Sequence, residues 1–164
     1  MRGEIDRRTG FGGQPFAIGF ELRLPANWEG RFLFQGGGGM DGQVRSAMGQ
    51  LSFAGNPALA RGCAVVSTDG GHQSRSSNPS TDPSFARDQQ SRIDYADLSI
   101  DRVTVGSKAI VAAHYGQPWK HAYFGGCSNG GRQGMMAAQS PDLELVPAVS
   151  GPRHDPLQWW SRAR

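Results

Sequence analysis

The run Gly126-Cys127-Ser128-Asn129-Gly130 constrains this chain more than any other stretch. It follows His121-Ala122-Tyr123-Phe124-Gly125, a short apolar run with strand character, and leads into a segment where a helix is expected from about Asn129 to Gln139. A serine with a glycine two residues away on each side, at a strand-to-helix junction, fits a nucleophile elbow. The turn is so tight that a Cβ at either flanking glycine would collide with backbone. The serine itself is expected in a strained conformation that lifts its hydroxyl clear of the sheet. The pattern also arises by chance in a chain with 24 glycines, so its surroundings have to support it.

Upstream, Phe16, Ile18, Phe20, Leu22 and Leu24 alternate with other residues, Glu21 and Arg23 among them, which predicts a half-buried strand with both charges on its solvent face. Asn27-Trp28-Glu29-Gly30 reads as a turn into a second strand, Arg31-Phe32-Leu33-Phe34-Gln35, and the two are expected to pair as an amino-terminal hairpin. The second strand runs into four glycines, Gly36 to Gly39. Gln43 to Ala60 mixes small and apolar residues, and a helix is expected over Asn56 to Arg61. Cys63-Ala64-Val65-Val66-Ser67-Thr68 then has the β-branched, apolar character of a buried parallel strand, ending in the loop Asp69-Gly70-Gly71-His72. Residues 73–92 read as an irregular excursion. Leu98, Arg102, Val105, Ala109 and Ala112 recur at helical spacing within a helix expected from Tyr95 to Tyr115, stopped by Gly116 and Pro118. A short last strand is expected over Leu145 to Ser150, restricted in its pairing by Pro147. Strands alternating with helices after an initial hairpin predict one α/β domain over residues 1–164, with a mostly parallel sheet and its functional loops at the strands' carboxyl ends.

A serine hydroxyl is a poor nucleophile at neutral pH and needs a base, together with donors for the oxyanion that forms on an attacked carbonyl. The Asn129 N–H, first in the expected helix, is one candidate donor. Gly38 or Gly39 is the other, since a loop without side chains brings backbone amides close to a substrate. A phosphate cradle is disfavoured because no Lys-Ser/Thr follows the glycines. The base is the difficulty. In this class of fold the acid and the histidine follow the serine, each after a later strand. Residues 129–164 contain only Asp142, Glu144, His154 and Asp155 as candidates. Asp142 is expected to cap the far end of the elbow helix, and His154 follows the serine too soon. His72 lies at the functional edge, either as a substrate or supporting contact or as a structural loop histidine bonded to backbone. His114 and His121 read as structural, and Asp94, Asp97 and Asp101 as solvated helix residues.

Composition excludes more than it identifies. The net charge of +3 is dispersed, so no nucleic-acid partner is expected, and no apolar run is long enough for a membrane partner. Met1-Arg2-Gly3-Glu4-Ile5-Asp6 is too polar to be an export signal. Two cysteines do not make a four-ligand metal site, so no metal site is expected. Cys63 begins one expected strand and Cys127 lies beyond the end of another, which separates them by roughly 15 Å and argues against a bond between them.

Gly126 to Gly134, the glycine run after Trp28-Glu29-Gly30-Arg31-Phe32, and Ser67-Thr68-Asp69-Gly70-Gly71-His72 together resemble the tannase and feruloyl esterase family. Phe20-Glu21-Leu22-Arg23-Leu24-Pro25 and Lys108-Ala109-Ile110-Val111 fit the same pattern, so the resemblance covers nearly the whole chain. It implies an incomplete α/β-hydrolase fold, in which this chain is the nucleophile-bearing half and the lid domain and carboxyl-terminal part lie outside it. It further implies a secreted or periplasmic serine esterase acting on small esters of aromatic acids of feruloyl, galloyl or terephthalate type. Ser128 would be the nucleophile and Asn129 an oxyanion donor. Cys127 would be half of a disulfide to a later segment, beside the family's histidine. No cofactor is implied for these residues; the family's structural calcium belongs to the lid. The chain departs from the family at Asp101, where a histidine is common, and at Val149-Ser150-Gly151-Pro152, where an alanine-glycine-alanine-proline stretch is common. A non-catalytic binding module on the same scaffold is the competing reading.

Overall fold

The computed structural model of the chain describes residues 1–50, 55–140, 143–144 and 146–149. Its centre is set by the most apolar run. Strand β4 (Cys63–Thr68) is buried at every position. On one side it pairs in parallel with β3 (Arg31–Gln35), which in turn pairs in parallel with β5 (His121–Gly126). Strand β6 (Val146–Val149) extends the parallel sheet beyond β5, as expected for this segment. On the other side β2 (Pro15–Arg23) runs antiparallel to β4, and β1 (Arg2–Thr9) antiparallel to β2. The order is therefore β1-β2-β4-β3-β5-β6.

The expected hairpin between β2 and β3 is not formed, because β4 inserts between them with Leu22 opposite Val66 on one side and Phe34 opposite Val66 on the other. The connection from Leu24 to Gly30 spans two inter-strand gaps, about 10 Å, which its length readily covers. The hairpin that does form joins β2 to the polar start of the chain. That start carries no apolar alternation to advertise a strand: Arg2, Glu4, Asp6, Arg7 and Arg8 all lie in β1. The charges suit an edge strand, as does the irregularity between Ile5 and Arg8, where Asp6 takes a φ of 53°. Charge and a bulge both discourage pairing with another chain.

Because side chains alternate across a strand, the sheet has two apolar faces. Phe32, Phe34, Ala64, Val66 and Phe124 face Ile100, Val103 and Val111 of the long helix. Leu33, Cys63 and Val65 face Ala47 and Ala58, so the segment after the glycine run covers the second face. Within that segment the helix expected over Asn56–Arg61 is reduced to a single 3₁₀ turn, Leu59–Arg61. Cover on both sides also corrects the half-buried reading of β2. Glu21 is 4% exposed and is held by Arg2, Arg23 and the Ala47 N–H. Burial pushes its carboxyl up, but those bonds outweigh burial and leave it at about 2.

The helical path begins earlier than the sequence predicts. Helix α1 (Gln89–Ile93) is capped by Asp88, which accepts the Ser91 N–H at 2.8 Å. A π-helical turn (Asp94–Leu98) follows, and α2 (Ser99–Tyr115) ends at Gly116 in the left-handed region, as expected. Its buried face is not the stripe through Val105, which is 61% exposed; it comprises Ser99, Ile100, Val103, Thr104, Ser107, Lys108 and Val111. Polar side chains can be buried there because backbone carbonyls partner some of them: Ser107 Oγ donates to the Val103 carbonyl, and Lys108 Nζ reaches across to the Leu143 carbonyl. Asp94 is likewise buried rather than solvated, accepting from Gln90 Nε2 at 2.9 Å. No helix among the described residues is long and apolar enough to cross a membrane.

Phe34 is fully buried and stacks on Phe124 with ring centroids 5.1 Å apart. Phe34→Ala is expected to lower the unfolding free energy by about 3–5 kcal/mol, measured by urea titration; a loss below about 1 kcal/mol would show that β3 and β5 do not pack as described.

Candidate active site

Strands β3, β4 and β5 run in one direction, and their registers align Gln35 with both Ser67 and Gly125. The glycine run after β3, the Asp69 loop after β4 and the serine turn after β5 therefore emerge side by side on one edge. At the end of β5 the backbone turns sharply into α3 (Asn129–Ala137). Ser128 sits at the apex with φ 56° and ψ −121°, a conformation that L-residues rarely adopt, and it is exposed. The turn is closed by hydrogen bonds from Gly130 N–H to the Cys127 carbonyl at 2.9 Å and from Gly131 N–H to the Ser128 carbonyl at 2.9 Å.

Both flanking glycines are needed. A Cβ on Gly126 would lie 2.6 Å from the Gly130 carbonyl carbon, and a Cβ on Gly130 would lie 2.8 Å from the Gly37 oxygen. The second contact is what brings the glycine run against the serine turn. Within that run the Gly36 N–H donates to the Gly125 carbonyl at 2.8 Å and the Gly37 N–H to Gln133 Oε1 at 2.9 Å. Gly38 to Asp41 form a β-turn closed by the Asp41 N–H on the Gly38 carbonyl at 3.2 Å. The two candidate amides are not equivalent. Gly39 has φ 61° and packs on Ser80, whose oxygen would be 2.5 Å from an added Cβ, whereas a Cβ on Gly38 would meet only Arg45, at 3.9 Å. The Asn129 N–H opens α3 and has no intrahelical acceptor.

Beneath these amides lies a buried polar network. Asp41, 4% exposed, accepts from Gln133 Nε2 at 2.8 Å through one oxygen and from Asn129 Nδ2 through the other. Asn129 Oδ1 accepts from Tyr95 Oη at 3.1 Å and Arg132 Nε at 2.8 Å. Arg132 lies over the Tyr95 ring, 4.4 Å from its centroid. Burial raises the Asp41 carboxyl to about 6, against the opposing pull of the Gln133 and Asn129 bonds and of Arg132 and Arg45. Its neighbour Asp69 accepts from the amides of Gly19 and Gly71 and from Gln73 Nε2 at 2.6 Å. Burial, reinforced by the nearby Asp41 charge, raises Asp69 to about 7 despite those bonds.

His72 is 1% exposed and stacks on Phe85 at 3.8 Å between centroids. Its ring nitrogens lie near the backbone of Gly70 and Met40 without reaching hydrogen-bond geometry. Burial lowers it to about 4, so the ring is neutral at neutral pH. This burial agrees with a structural histidine, although the backbone bond expected of one is not made. His114 and His121 are exposed, at the end of α2 and the start of β5, and His121 pairs in register with Arg31 at the opposite edge from Ser128. His154, Asp155 and Asp142 lie outside the described residues. Cys63 is buried and Cys127 exposed, both as free thiols, and register puts Cys63 level with His121 at the far end of β5. Among the described residues no three His, Cys, Asp or Glu side chains gather to hold a metal ion.

Asp41, Tyr95, Arg132 and Gln133 escape a sequence reading centred on nucleophiles and bases. A signal for two of them exists: Asn129, Arg132 and Gln133 fall at i, i+3 and i+4 and so share one face of the elbow helix.

A parallel-centred sheet with a strained serine turn at its carboxyl edge places the chain in the α/β-hydrolase class of fold. Residues 7–142 match the tannase and feruloyl esterase family, and the chain belongs to it. It is 44% identical over 143 residues to the mono(2-hydroxyethyl) terephthalate hydrolase of Piscinibacter sakaiensis, covering 85% of this chain and 24% of that protein. It is 35% identical to feruloyl esterase B of Aspergillus niger, over 73% of this chain and 21% of that one. The crystal structure of feruloyl esterase B from Aspergillus oryzae superposes with a TM-score of 0.68 at 29% identity, covering 90% of this chain and 28% of that one. The chain thus spans about a quarter of the length of the relatives it matches.

Two outcomes follow from this geometry. Raised carboxyls bind their protons more tightly folded than unfolded, so Asp41 and Asp69 contribute stability that is complete below about pH 4. That contribution is lost as the pH rises through about 6 and about 7. Carbon-13 NMR of aspartate-labelled protein should show two carboxyls titrating at those values, and titration of every aspartate below about pH 5 would contradict the burial. Gly130→Ala, which in an open helix would gain about 1 kcal/mol, is expected instead to destabilise by about 1–3 kcal/mol, because the new Cβ meets Gly37 backbone. Thermal unfolding checks the sign.

Proposed function

We propose that the protein is a serine carboxylic-ester hydrolase acting on esters of aromatic acids of the feruloyl, galloyl or terephthalate type. The observation that carries this reading is the strained φ of 56° at Ser128, at the head of α3 and beside the glycine run. The names of the relatives supply the feruloyl and terephthalate classes, and the tannase half of the family's description the galloyl one. In this mechanism Ser128 Oγ attacks the ester carbonyl while a base takes its proton. The carbonyl oxygen becomes an oxyanion held by the Asn129 N–H and by the amide of Gly38, or of Gly39. Collapse of the tetrahedral intermediate expels the alcohol, which leaves with the proton from the base. Water then attacks the acyl-serine, the free acid departs, and the serine regains its proton.

The base is not among the described histidines: His72 is buried against Phe85, and His114 and His121 sit away from the serine edge. We assign the base and its partnering carboxylate to the family's later segments, with Cys127, exposed beside Ser128, pairing with a cysteine there. The exposure of that thiol supports the pairing. Secretion or a periplasmic location fits such a disulfide.

The test is hydrolysis of methyl ferulate and a p-nitrophenyl ester by the protein made from its complete reading frame. Ser128→Ala is expected to lower kcat by about 10⁴-fold or more, with the fold retained by circular dichroism. Equal activity in wild type and variant would remove Ser128 as nucleophile, and binding of the ester without turnover would favour a non-catalytic module. Residues 1–164 alone are expected to be nearly inactive; turnover by them that disappears in Ser128→Ala would locate a base within them.

A further inference from the structure

The polar network under the serine turn has a direction fixed at both ends by groups that can only donate. The Gly37 N–H has no acceptor capacity, so Gln133 must turn its oxygen to it and present its NH₂ to Asp41. Arg132 likewise has only donors, so Asn129 must turn its oxygen to Arg132 and present its NH₂ to the other Asp41 oxygen. Residue 41 therefore receives a donor on each oxygen, which a carboxylate satisfies and a carboxamide does not. Asp41 also holds the loop through its backbone, its N–H closing the turn on the Gly38 carbonyl. The peptide before Gly38 is thus bounded by one bond through Gln133 and one through Asp41 itself, both referred to the same carboxylate. Its carbonyl, that of Gly37, lies against Gly130.

We propose that Asp41 and Gln133 are positioning residues for ester hydrolysis, holding the glycine run at the separation from the serine turn at which the Gly38 and Asn129 amides donate to one oxyanion. Neither side chain touches the substrate. The proposal rests on the esterase reading given above. It goes beyond that reading by making the geometry of the oxyanion donors depend on a buried carboxylate upstream of the serine in the chain. Asn129 then serves twice, through its amide in the donor pair and through its side chain in the network that spaces the pair.

The donor–acceptor pattern makes the test specific. Asp41→Asn keeps the size of the side chain and tolerates the φ of 51° at this position, but it sets an NH₂ against an NH₂. Gln133→Met keeps the volume and removes the tie to Gly37. In the protein made from its complete reading frame, each is expected to lower kcat for methyl ferulate about 10- to 100-fold, toward the loss that follows removal of an oxyanion donor, with KM within about twofold of wild type. The exchanged pair Asp41→Asn with Gln133→Glu restores complementarity. The carboxylate, now at position 133, accepts from the Gly37 N–H and from the NH₂ of the carboxamide at position 41, while the oxygen of that carboxamide accepts from Asn129. The pair is expected to recover kcat to within about threefold of wild type, a rescue that general destabilisation would not produce. Normal kcat in either folded single variant, a lowered melting temperature with unchanged kcat, or failure of the exchanged pair to recover kcat would overturn the proposal while leaving Ser128 as nucleophile. Should the single variants fold too poorly to assay, the exchanged pair decides alone by its kcat. A wild-type protein without Ser128-dependent turnover would overturn the proposal together with the esterase reading.

Discussion

The approach of two backbones at Gly130 is the constraint on which the rest of the site depends. A Cβ there would lie 2.8 Å from the Gly37 oxygen and 3.1 Å from the Gly36 carbonyl carbon, so the glycine run and the head of α3 are in contact without side chains between them. Neither partner is free to retreat. The glycine run is the continuation of β3, tied to β5 through the Gly36 amide, and α3 is the continuation of β5. Once β3 and β5 pair in parallel, their carboxyl ends arrive together, and only glycine at positions 126 and 130 lets both chains leave the edge. The spacing of the candidate oxyanion donors is thus a consequence of sheet register and of missing methyl groups.

A contact made of backbone alone positions weakly, since nothing in it resists sliding. The buried polar network supplies the missing direction. Gln133 and Asn129 stand on the first turns of α3 and converge on Asp41, which lies at the end of the glycine run, so one carboxylate registers the two elements against each other. A buried carboxylate is costly unless its hydrogen bonds are complete. Asp41 meets that condition through both oxygens, and the residual cost of burial is what leaves its carboxyl near 6 rather than in the ordinary range. Asp69 shows the same compromise one loop away, with three donors and a still higher value.

What can be read from the sequence follows physical locality. The serine turn is legible because its steric demand falls on residues two positions away, and β4 because burial on both faces leaves an unbroken apolar run. The parallel core of the sheet follows from the alternation of such runs with one strongly helical segment. Strand β1 is invisible because its identity as a strand depends on β2 as a partner, and its own side chains are charged. The expected β2–β3 hairpin fails for a related reason: adjacency in sequence says nothing about whether a more apolar strand will intervene. The buried face of α2 escapes the sequence because Ser107 and Lys108 look like surface residues until their acceptors, the Val103 and Leu143 carbonyls, are known. Asp41 and Gln133 belong to the same category, polar residues whose burial is licensed by each other and by Asn129 and the Gly37 amide.

The strain at Ser128 can be understood in these terms. Holding a non-glycine residue at φ 56° and ψ −121° costs on the order of 1–3 kcal/mol, and such a conformation survives only where the surroundings over-determine it. Here the preceding residues are locked in β5 between β3 and β6, and the following residues are locked by the amides of Gly130, Gly131 and Arg132 on the carbonyls of Cys127 and Ser128. The glycine run closes the remaining side. Among the described residues, the groups that hold the serine in place thus belong to the sheet, to α3 and to the loop after β3. The shape of the serine turn is consequently a property of the fold described by these residues, set by sheet register and helix capping before any proton chemistry acts on the hydroxyl.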